Sequence, residues 1–108
     1  MPVQAGHIEI NDEKLRSFCE KWGIAELAVF GSVLRDDFRP DSDVDFLVTW
    51  KAGGRPGSYF ELFPIKDELS EIVGRDVDLI ERRSAEQIRN PYRRRNILTS
   101  ASTVYAAA

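Results

Sequence analysis

Two carboxylates stand inside a run that otherwise reads as a buried strand. Val44, Phe46 and Val48 alternate with Asp43, Asp45 and Leu47, the repeat of two expected of a β-strand. Residues two apart on a strand point to one face, with Cα atoms ~6.5–7 Å apart. Asp43 and Asp45 therefore share a face beside an apolar core. Like charges at such a place repel one another and resist ionisation, and a divalent cation offsets both at once. The plainer reading is a Ser-Asp turn running into a strand whose polar face meets water.

The segment before it weighs on that choice. Ile24 to Phe30 is aliphatic and aromatic, reads as a buried strand, and ends on Gly31-Ser32. A glycine lacks the Cβ that would block a phosphate, exposed N–H groups at a following helical turn attract anions, and Ser32 adds a hydroxyl donor. Taken alone, Gly-Ser is a common strand-ending turn. Asp78 supplies a third acid on a predicted strand from Arg75 to Ile80, where Val77 and Leu79 alternate with Asp76 and Asp78. If that strand pairs beside the Asp43/Asp45 strand, the acids surround two divalent ions, which phosphoryl chemistry places ~3.5–4 Å apart. Strand order itself is not legible in the sequence.

The remaining elements frame these residues. Asn11 caps a helix whose stripe is Leu15, Phe18, Cys19 and Trp22, stopped by Gly23. Val33 to Arg39 reads as a short helical turn closed by Pro40, and 51–57 as a Gly/Pro loop. Tyr59 to Val73 is helical in pattern, with Pro64 as a kink or a first-turn proline. Ser84 with Gln87 forms a capping box, and Asn90-Pro91 is a second helix start. The order of helix, strand, strand, helix, strand, helix is that of a small α+β sheet domain, and 108 residues suit one domain over 1–108. The ending Tyr105-Ala106-Ala107-Ala108 is expected to fray, and His7 to lie on the surface near a floppy terminus.

Charge and cysteine usage limit the functional classes. The net charge of −3 argues against a general nucleic-acid binder, and no direct nucleic-acid binding is expected. Acids crowd 36–45, and Arg82, Arg83, Arg89, Arg93, Arg94 and Arg95 crowd the C-terminal part, where they suit an acidic partner or a phosphate-rich ligand. The 93–95 run reads as a solvated helix face with docking as the sharper option. Cys19 is the only cysteine, which excludes an intrachain disulfide and fits a reducing cytoplasm. No apolar stretch approaches the ~20 residues that span a bilayer. Cys19, Trp22 and Trp50 read as packing residues.

In combination the motifs are specific. The run from Phe30 through Gly31-Ser32 to Asp43-Val44-Asp45 and Val48 resembles the signature of the DNA polymerase β-like nucleotidyltransferases, in particular their minimal members, the MNT proteins. The short length, the Gly-Arg-Asp-Val-Asp-Leu-Ile segment at 74–80 and the tyrosine near the end fit as well. The resemblance implies a small mixed β-sheet flanked by helices, with Asp43, Asp45 and Asp78 as catalytic Mg²⁺ ligands and Asp78 also a base. It implies that Gly31 and Ser32 hold the triphosphate of ATP, with Arg35 in register as a phosphate contact. It further implies an antitoxin that transfers AMP to a tyrosine of a HEPN ribonuclease toxin. Two positions depart: family members often carry Arg in place of Val33 and Gly in place of Asp36.

A second expectation competes with the adenylyltransferase. A binding module would neutralise the toxin by covering it, but has no use for three converging acids. A metal-dependent nuclease ranks below both, because such enzymes commonly place a lysine just after a strand carboxylate. Here Glu81-Arg82-Arg83 follows Asp78, and no lysine is expected near either acid pair.

Overall fold

In the computed structural model, which describes residues 2–52 and 62–107, the chain opens with an antiparallel hairpin of β1 (Pro2–Ala5) and β2 (Ile8–Asn11). This replaces the floppy terminus expected around His7. The hairpin is anchored by burial: Ala5 and Ile10 are in the main core. The Asn11 side chain then accepts from the Lys14 backbone N–H at 3.0 Å and starts α1 (Asp12–Trp22). Gly23 closes that helix at φ 69°, a left-handed conformation that costs glycine little. Leu15, Phe18 and Cys19 are buried as the stripe predicts, and burial pushes the Cys19 thiol up to about 12, as befits an inert core cysteine.

Strands β3 (Ile24–Phe30), β4 (Val44–Trp50), β5 (Val77–Glu81) and β6 (Ser102–Ala106) form one sheet in the order β5-β4-β3-β6. The sheet is mixed: β3 pairs antiparallel with β4 and β6, while β4 and β5 are parallel. A parallel pair needs a crossover, and α2 (Leu62–Val73) supplies it. Pro64 is the third residue of α2, in the first turn where backbone N–H groups have no intrahelical partner. Residues 53–57 of the expected loop and 59–61 of the expected helix lie outside the described residues.

Two expectations at the C-terminal end are corrected. The helix α3 (Arg82–Ala85) starts two residues before Ser84, with Glu81 at its N-cap, so the Ser84/Gln87 capping box does not form. Tyr105 and Ala106 do not fray; they close the sheet as β6, with Tyr105 opposite Leu27. The Asn90-Pro91 start is realised. Asn90 Oδ1 accepts from the backbone N–H groups of Tyr92 and Arg93 at 3.0 and 3.3 Å and opens α4 (Pro91–Ser100).

The sheet has a core on each face. Leu27, Val29, Val44, Phe46, Val48, Val77 and Val104 pack with α1, α2 and the hairpin. Ala28, Phe30 and Leu47 face the other way and meet Ala85 of α3 and Ile97 of α4. The second core is the smaller, and its rim is where the acids emerge.

Candidate active site

Strand pairing answers the question the sequence left open. Asp45 of β4 is the direct partner of Asp78 of β5, and Phe30 of β3 is the partner of Asp45 on the other side. Asp45 and Asp78 thus leave the sheet on one face. Asp43 lies one residue before β4 rather than within it, exposed, at the end where the strand begins. Asp76 stands likewise before β5, and its carbonyl accepts from the Val44 N–H at 3.1 Å. The Asp45 carboxyl is held above its ordinary range, first by burial and then by the charges of Asp78 and Asp43, with Arg35 and Arg93 pulling it down.

Among the described residues no three acidic, histidine or cysteine side chains meet closely enough to hold an ion by themselves. The acids are an open set of hard carboxylate oxygens rather than a closed cage. That donor class suits Mg²⁺, which binds few carboxylates and completes its shell with water and substrate phosphates.

Gly31 to Leu34 forms a 3₁₀ turn, shorter and earlier than the helical turn expected over 33–39. Gly31 sits at φ 77°, and a Cβ there would come 2.6 Å from Asp45 Oδ2. Glycine is therefore required twice over, by conformation and by the approach of the carboxylate. Val33 is fully buried, which accounts for its departure from arginine: here the position serves the core. The N-terminal hairpin buttresses this turn from behind, the His7 N–H donating to the Val33 carbonyl at 3.0 Å. The His7 ring stacks on Phe38 at 6.1 Å, so His7 is at the surface as expected but fixed.

The turn and Asp45 line a cleft of about 880 Å³ whose opposite wall is α4. Ser32 and Arg35 line it, and Arg35 Nε also donates to Asp37 Oδ1 at 3.2 Å. The α4 wall was missed. Arg93, Asn96, Ile97 and Ser100 face the cleft at the spacing i, i+3, i+4, i+7, a helical stripe present in the sequence but mostly polar. The arginine run divides by that period. Arg93 meets the cleft, Arg94 donates to the Ile88 carbonyl at 2.9 Å, and Arg95 is exposed. A second residue was missed as well: α2 brings Lys66 Nζ to 3.8 Å from Asp78 Oδ1, so a lysine does stand near the acids. Both side chains are substantially solvated, so the pair adds little stability.

With the geometry in hand, known proteins give the family. Residues 12–103 match the nucleotidyltransferase domain family. An inferred protein adenylyltransferase of Methanocaldococcus jannaschii is 35% identical over 78 residues, 72% of this chain and 74% of its own. A solved minimal nucleotidyltransferase superposes with a TM-score of 0.60 at 31% identity, over 82% of this chain and 84% of that one. A toxin–antitoxin structure with AMP-PNP shares the fold at a TM-score of 0.66 and 17% identity, over 91% of this chain and 75% of that one. The chain thus belongs to the nucleotidyltransferase domain family, among its minimal members.

Proposed function

We propose that this chain is a Mg²⁺-dependent protein adenylyltransferase, moving AMP from ATP to a tyrosine of a partner HEPN ribonuclease toxin and thereby acting as its antitoxin. The observation that carries the reading is that Asp45, which lines a cleft walled by Gly31-Ser32 and two arginines, pairs with Asp78 on the neighbouring strand and feels the charge of Asp43. A pure binding surface has no use for acids set against one another. The likeness to an adenylyltransferase and to a toxin–antitoxin fold supports the substrate and the partner. Among the described residues no helix is long and apolar enough to cross a membrane, and a reducing cytoplasm suits the lone cysteine.

The chain's own groups divide the work. Gly31 lets backbone approach the triphosphate, Ser32 donates a hydroxyl, and Arg35 and Arg93 offset phosphate charge. Asp43, Asp45 and Asp78 would hold the metal, which when bound neutralises the acids and the charge that develops on the phosphates. A tyrosine hydroxyl has a pKa of ~10 and needs a base at neutral pH, a role that this reading gives to the exposed Asp78 carboxylate.

Labelled ATP, Mg²⁺ and a HEPN toxin, sought first in the gene next door, test the reading. Transfer of AMP to a toxin tyrosine with release of pyrophosphate is expected, and Asp43→Asn or Asp45→Asn should abolish it. Calorimetry should show Mg²⁺ binding weakly alone and much better with ATP. Undiminished neutralisation by either variant, with no label on the toxin, would make the chain a masking module instead.

A further inference from the structure

We infer that Tyr92 is itself an acceptor: one copy of the chain transfers AMP to the Tyr92 hydroxyl of a second copy. The inference rests on the adenylyltransferase reading and adds a modification site on the protein. Tyr92 is 79% exposed, an unusual place for so large an apolar ring. Among the described residues its hydroxyl has no hydrogen-bond partner. Tyr105 is half-buried in β6, and Tyr59 lies outside the described residues.

Position adds to exposure. Tyr92 precedes Arg93, which lines the cleft, and its backbone is held by the Asn90 cap and by Pro91 in the first helical turn. The cleft face of α4 is Arg93, Asn96, Ile97 and Ser100. With ~3.6 residues per turn, Tyr92 leaves the helix about a quarter-turn from the middle of that face. It stands beside its own cleft and is free to enter another. Exposed Arg89, Arg93 and Arg95 flank it, drawing a triphosphate toward it and offsetting the charge of the product.

The step balances without a further reactant. The Tyr92 oxygen bonds to the α-phosphorus of ATP, the bond from that phosphorus to the bridging oxygen of pyrophosphate breaks, and pyrophosphate leaves with the electron pair. The hydroxyl proton passes to a carboxylate of the acid group in the acting copy.

Two variants complement one another. Asp45→Asn keeps Tyr92 but loses transfer; Tyr92→Phe keeps the acids but loses the acceptor. Mixed with labelled ATP and Mg²⁺, they should place AMP on Tyr92 of the Asp45→Asn chain, read by peptide mass mapping, while neither labels alone. Only one chain in the mixture contains Tyr92, so label there is intermolecular. An unlabelled mixture, with Tyr92→Phe still adenylylating the toxin, overturns this inference and leaves the proposed function standing. No label on either the second copy or the toxin overturns both, and label at Tyr59 in place of Tyr92 overturns the site.

Discussion

Asp45 and Asp78 occupy one rung of the parallel β4–β5 ladder, so the charge of Asp78 raises the cost of ionising Asp45. Burial is the larger cause of the same shift, and Asp43 adds to it. The site thus carries a charge conflict of its own, and its cost is measurable.

For an acid whose folded pKa lies above its unfolded value, the native state binds more protons across the window between them. Stability is then lost as pH rises from the ordinary aspartate value of 3.8 through the raised one. Asp45→Asn removes that loss. Without metal, the variant should melt no lower than the parent at pH 7 and by a margin that shrinks as pH falls toward 3.8. Thermal melts across pH check this, and a variant several degrees less stable at neutral pH would mark Asp45 as structural.

Asp78→Ala should reduce AMP transfer by at least ~10²-fold, the low end for general base catalysis. ATP affinity should change far less, since Gly31, Ser32 and the arginines remain. Asp76→Ala is the control, because the Asp76 contact to Val44 runs through its backbone carbonyl and survives the change. Transfer assays on both variants locate the third acid. A dead Asp76→Ala beside an active Asp78→Ala would move it by two residues, and two active variants would dissolve the group.

Gly31→Ala should be costly for two reasons. The left-handed conformation alone costs an L-residue about 1–2 kcal/mol. The added carbon would also push on Asp45 Oδ2 from 2.6 Å, displacing the carboxylate or the turn. Denaturant melts should show the lost stability, and ATP binding should weaken in step with it. Unchanged binding would mean the turn does not hold the nucleotide.

Arg93→Ala tests the wall of the cleft that α4 provides. Hydrogen bonds to charged groups contribute about 1.5–3 kcal/mol, so ATP affinity should fall by roughly tenfold or more. Arg95→Ala, one residue beyond Arg94 and exposed, should leave it unchanged. Equal effects of the two changes would indicate a diffuse basic field instead of a contact.

Much of this protein was written locally. The stripe Leu15, Phe18, Cys19 and Trp22 between an asparagine cap and a glycine stop is a helix from its own residues. The Asp45 strand and the Gly31-Ser32 turn are likewise legible, because alternation and a positive-φ glycine act within a few residues. What tertiary structure decided was partnership. Asp78 meets Asp45 because α2 carries the chain to a parallel neighbour, and no local pattern encodes a rung of a ladder. Lys66 and Arg93 reach the acids and the cleft from helices distant in sequence, where a charge on a helix reads like any solvated one. The hairpin at residues 2–11 and the strand β6 went unread for a related reason: each is a short segment whose strand form is bought by packing or pairing with residues far along the chain.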